Sequence, residues 1–151
     1  MCTTDIDVTN RDLLQPGFGG WPCFHDGTLE EFSVVHGDSH EAVATARMIT
    51  TAGYEHRVDG YYHPTAQYRI TLTFQGAVEV SVVKDGEGGV VDEFLLKTAD
   101  ERAHSGRGVH AHIVGIGGVG TDVELYCREV VVAAVEGPLK LDVADDLASA
   151  G

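Results

Sequence analysis

The sequence predicts an all-β fold: one domain of about seven to nine mostly antiparallel strands, in a twisted sheet folded into a sandwich or a partial barrel. Three observations predict it. Apolar and polar residues alternate with period two through most of the middle of the chain, the pattern of half-buried strands. The alternating runs are rich in Val, Ile and Thr, whose branched side chains suit a pleated surface. Glycine-rich segments punctuate the runs where turns are needed. A chain of 151 residues is one domain by length, able to bury roughly two-thirds of its unfolded surface without disulfides or a metal.

Taken in order, residues 1–20 form a polar lead-in ending in Gln15-Pro16-Gly17-Phe18-Gly19-Gly20, a turn-rich segment expected to run over the surface. A β domain follows over 21–138. It opens on Trp21-Pro22-Cys23-Phe24-His25-Asp26, where Trp21 and Phe24 are expected to anchor the entry to the first long strand. His25 and Asp26 are assigned to closing that entry, since Asp readily accepts hydrogen bonds from nearby backbone N–H groups; chemistry at the pair is the other reading.

Residues 39–52 carry conflicting signals. Asp38-Ser39-His40-Glu41 reads as a helix N-cap with a capping-box glutamate, and Gly53 would close the helix. Against this, Val43, Thr45, Arg47 and Ile49 share one face of a strand, and Thr50 and Thr51 are poor interior helix residues. The uniformly β remainder favours a strand over 42–51.

The clearest strand carries Tyr68, Ile70, Leu72 and Phe74 on one face and stops at Gly76. Val78, Val80 and Val82 then alternate up to Lys84-Asp85-Gly86-Glu87-Gly88-Gly89, so the two runs make either a hairpin or one long bulged strand. Further strands are expected over Val90 to Lys97, at Val109, Ala111 and Ile113, and from Val123 through Val135. Residues 139–151 form an acidic tail with Asp142, Asp145 and Asp146.

The net charge is -14 at pH 7. Phosphates would be repelled by such a surface, which argues against nucleic-acid binding; a basic protein partner is one reading of the charge, and maintenance of solubility or adaptation to a salty cytoplasm is the other. Three cysteines at irregular spacing, with no apolar leader in Met1-Cys2-Thr3-Thr4-Asp5, indicate a reducing compartment, the cytoplasm. No apolar run reaches the roughly 20 residues that cross a membrane as a helix.

No catalytic motif is assembled. Gly115-Ile116-Gly117-Gly118-Val119-Gly120 spells the dinucleotide fingerprint, but Thr121 to Cys127 alternates like a strand where that motif needs a helix N-terminus, so a hairpin connection is expected. His110 and His112 share a strand face at a spacing used in metal sites on barrels, yet no third ligand follows them. Cys23 near His25 lacks a third orienting group, and Cys127 sits among core residues. The sequence therefore calls for no cofactor. Four of the five tyrosines, Tyr54, Tyr61, Tyr62 and Tyr68, fall close together; Tyr54, Tyr61 and Tyr62 are the candidate partner-binding residues, because tyrosine gives large contact area at small entropic loss.

Several of these segments together resemble the immunity protein 50 family of bacterial polymorphic toxin systems. Trp21 to Asp26 is similar to that family's Trp-Pro-Ser-Phe-His-Asp opening, with Cys23 in place of Ser. Asp59-Gly60-Tyr61-Tyr62, with the strand that follows to Gly76, resembles a second family stretch, and Gly118 to Pro138 resembles its closing Cys-Arg and Val-x-Pro motifs. Gly27-Thr28-Leu29 and Lys84 to Gly89 depart from the family pattern. The resemblance implies an all-β fold, a strand over 42–51, and neutralisation of a toxin by direct binding without catalysis. Two other readings stay open: a small β-barrel metal protein or enzyme using His110 and His112, and a structural homo-oligomer paired through exposed strand edges.

Overall fold

The computed structural model describes residues 4, 6–22, 24, 27–36, 42–56, 58–98 and 111–139, with side chains throughout except at 54–56, 62–65, 84–93 and 116–121. The chain is all-β. Its strands are β1 (Val8–Thr9), β2 (Gly27–His36), β3 (Ala42–His56), β4 (Tyr62–Thr98), β5 (Ala111–Cys127) and β6 (Glu129–Glu136). A 3-10 turn over Arg11–Leu14 and one short helix, α1 (Gln15–Phe18), lie between β1 and β2. Among the described residues there are six strands, fewer than the about seven to nine that the alternation suggested. The difference arises because β4 and β5 each absorb runs that the sequence separates.

Residues 42–51 are strand, within β3. The reason is visible in the burial: Ala42, Ala44, Ala46, Met48 and Thr50 all face inward, a strict period of two. A helix would have scattered those five positions around its axis. Ladders with β2 on one side and β4 on the other, both antiparallel, hold the strand extended.

β4 does not end at Gly76. It continues as a bulged strand, the second of the two arrangements left open by the sequence. Gly76 (φ 64°) and Glu79 (φ 52°) have left-handed backbones, and Gln75 O accepts a hydrogen bond from Arg128 N–H at 3.0 Å. The Arg128 side chain occupies the space that a Cβ on residue 76 would fill, so this bulge needs glycine.

β5 doubles back on itself. His112 Nε2 lies 3.1 Å from Glu124 Oε2 although 12 residues separate them, and a straight strand would hold them about 40 Å apart. The reversal falls in the Gly115 to Gly120 segment. β4 follows around the same point, because Asp85 pairs with Gly120 and Val90 with Val119, leaving the Gly86 to Gly89 residues as an insertion around the β5 tip. The two glycine-rich segments therefore serve as reversals, one nested in the other.

The strands make one curled mixed sheet, a half-barrel. β6 and β3 flank the near part of β4. β2 pairs with β3 and also touches the far part of β4 at Gly27↔Val91 and Thr28↔Val90, which draws the margins of the sheet together. β1 adds in parallel to β6. Inward residues fill the concave side: Met48, Ile70, Leu72, Phe74, Ile113, Leu125 and Val132 are wholly buried.

The N-terminal segment corrects the sequence reading. Rather than running over the surface, it contributes Ile6, Val8 and Leu14 to the core. Trp21 and Phe24 are buried behind it, in an edge-to-face series with ring centroids 5.7 Å apart from Trp21 to Phe24 and 5.5 Å from Phe24 to Phe94. Arg11 sits over the Trp21 ring at 5.6 Å, within the range of a cation–π contact. No helix among the described residues is long and apolar enough to cross a membrane.

Candidate protein-binding surface

The β3–β4 hairpin brings the three candidate tyrosines to one end of the molecule. Tyr54 pairs with Pro64 and His56 with Tyr62 in the last rungs of the ladder, and Tyr61 lies in the connecting turn. The turn forms because Asp59-Gly60 is a strong reversal signal: Gly60 takes φ 87°, and Asp59 Oδ1 accepts a hydrogen bond from the Tyr61 N–H at 2.9 Å. Tyr61 is 71% exposed and its neighbour Val58 is fully so at 108%. The side chains of Tyr54 and Tyr62 lie outside the described ones.

The other two tyrosines do different work. Tyr68 is half-buried, its ring 5.2 Å from Phe18 and closely approached by Gly17 and Gly137, so it seats α1 on the sheet. Tyr126 stacks flat on His112 at 4.3 Å with 2° between the rings. That stack, with the Glu124 contact, ties the two arms of β5 together.

His112 is thus engaged by its own strand. His110, the other histidine of the proposed pair, lies outside the described residues, as do His25, Asp26 and Cys23. Among the described residues no group of three or more His, Cys, Asp or Glu is placed to hold a metal ion. Cys127 is buried, and loss of solvation pushes its thiol up to about 12 despite a backbone hydrogen bond that favours the thiolate. A thiol so hard to ionise is a poor nucleophile.

The outer face of the sheet carries paired charges. A register shift between Leu29 and Glu31 lets two consecutive glutamates reach the same side. Glu31 pairs with Arg47. Glu30 accepts from Arg69 Nε at 2.6 Å, and Arg69 Nη1 also donates to Glu136 at 3.1 Å. The Arg69 hydrogen bond holds the Glu30 carboxyl below its ordinary value, outweighing the smaller opposing effect of burial. Glu30 and Glu136 in turn stabilise the Arg69 guanidinium in its charged form.

Sequence reasoning missed this cluster, because its members come from four strands and carry no shared sequence signal. Val58 was also missed. An apolar residue beside an Asp-Gly turn is its only signature, and that signature could have been read.

No family model matches the chain, and no curated protein or solved structure matches it either.

Proposed function

We propose that the protein is a non-enzymatic protein-binding module of the cytoplasm, an immunity protein that neutralises a basic toxin by direct binding. The observation that carries this reading is the charge. The chain carries a net charge of -14, and two of its arginines are engaged within the fold: Arg47 is paired to Glu31, and Arg69 to Glu30 and Glu136. An acidic field of this kind accelerates encounter with a positive surface and disfavours nucleic acid and other acidic proteins. The resemblance to immunity protein 50 supplies the biological class, and the gathering of Tyr54, Tyr61 and Tyr62 at one hairpin end supplies aromatic contact residues.

The test is to purify the product of the reading frame adjacent to this protein's own and to follow their association at rising ionic strength. Expected are a complex, loss of the neighbour's toxicity, and an association rate that falls as salt screens the field. An adjacent product that does not bind, together with stoichiometric bound metal lost on His110→Ala and His112→Ala substitution, would overturn the immunity reading in favour of the metal site.

A further inference from the structure

The β3–β4 hairpin ends in a turn with exposed side chains. Thr50 is the last buried residue of β3 and Ile70 the first of β4 among those described. Between these residues and the turn, residues 51–53 and 66–69 are half-buried. In the turn Val58 and Tyr61 are 108% and 71% exposed. An isolated exposed valine is ordinary, but here it stands beside an exposed aromatic in a turn whose shape is fixed by Gly60 and the Asp59 Oδ1 to Tyr61 N–H hydrogen bond. A turn held this way loses little conformational freedom on binding, which lowers the cost of association.

We infer that this hairpin tip is a finger that inserts Val58 and Tyr61 into an apolar recess of a basic protein, the recess being rimmed by lysine or arginine. The inference rests on the binding role proposed above and names the element that performs it. Charge complementarity selects the occupant. A second copy of this chain, also at -14, would be repelled, whereas a lysine- or arginine-rimmed recess is attracted by the net negative charge of the chain. The apolar tip holds the complex and the charge brings it together, so the two act on different rate constants.

The experiment compares the wild-type protein with the double variant Val58→Ser, Tyr61→Ser, using the purified product of the adjacent reading frame as the probe and surface plasmon resonance at several salt concentrations. Both side chains are exposed, so the variant should keep the wild-type melting temperature, which is checked first. The expected result is dissociation at least about ten-fold faster, the scale of losing an aromatic anchor, with the association rate and its salt dependence unchanged. Unchanged dissociation in a folded variant overturns the finger while leaving the acidic binding module in place. Absence of any complex with the wild-type protein overturns the immunity reading itself, and the finger with it.

Discussion

Phe24 is where the N-terminal segment meets the sheet, and its removal should be among the most costly single changes in the chain. The ring is 3% exposed and is met edge-on by Trp21 at 73° and by Phe94 at 65°. Deleting a buried phenylalanine costs about 3–5 kcal/mol through lost transfer energy and the cavity left behind. Each edge-to-face pair adds about 0.5–1.5 kcal/mol beyond burial. Phe24→Ala and Phe94→Ala are therefore expected to be non-additive, with a coupling of about 0.5–1.5 kcal/mol in a double-mutant cycle. A loss of about 4 kcal/mol is a large part of the stability of a domain this size, so Phe24→Leu provides a milder arm that keeps burial and removes the aromatic pairing. Urea unfolding reads both. Trp21 is the only tryptophan, so its fluorescence reports docking of the N-terminal segment while far-ultraviolet circular dichroism reports the sheet. The two transitions should coincide. A fluorescence transition well below the dichroism one, or a coupling near zero, would refute the claim that the segment is part of the core.

Three further outcomes are expected. Gly76→Ala should destabilise by about 1–3 kcal/mol, from a strained left-handed backbone together with displacement of Arg128, and chemical unfolding measures it; a neutral result would mean the bulge relaxes. With Cys2 and Cys23 replaced by Ser, the remaining Cys127 thiol should resist Ellman's reagent at pH 8 until the protein unfolds, and stability should fall as pH rises from the ordinary thiol value of 9.0 towards about 12, because the unfolded chain ionises there and the native one does not. Prompt labelling of the native protein would contradict this. Glu30 is held below its ordinary value of 4.5, so its contribution to stability is present above pH 4.5 and is lost as pH falls through the lowered value. Arg69→Gln should return the Glu30 titration, followed by carboxyl carbon shifts, towards 4.5; an unchanged midpoint would show the pair does not form in solution.

The sequence showed the strands better than their connections, for identifiable reasons. Period-two burial is local, so β3 could be read from Ala42 to Thr50 against the competing helix signals. Whether Gly76 ends a strand or bulges it turns on a partner remote in sequence, Arg128 in the bend between β5 and β6, which bonds Gln75 and lies against Gly76, and a left-handed glycine serves either geometry equally. The N-terminal segment misled because Ile6, Val8 and Leu14 follow no single period: Ile6 lies before β1, Val8 in it and Leu14 at the end of the 3-10 turn. The Arg69 cluster could not be anticipated at all, since Glu30 and Glu136 reach it only once β2, β4 and β6 are in register. At the candidate surface the clustering of Tyr54, Tyr61 and Tyr62 was legible, and the fold supplied what it lacked: a hairpin end that sets them together.

The arrangement separates the residues that hold the fold from those proposed to act. Ile70, Leu72, Phe74 and Ile113 fill the concave side of the half-barrel with none of their surface exposed, and a side so filled leaves recognition to the exterior. The exterior in turn divides. On the sheet face, Arg47 and Arg69 spend their charge on Glu30, Glu31 and Glu136, while the hairpin tip exposes Val58 and Tyr61. Substitutions should sort the same way: Phe24→Ala should lower the unfolding midpoint while the folded fraction still binds with wild-type affinity, and Val58→Ser with Tyr61→Ser should do the reverse. Parallel urea titration and binding measurements on both variants test this. Loss of affinity in folded Phe24→Ala protein would mean that the core transmits to the tip, and the separation would have to be abandoned.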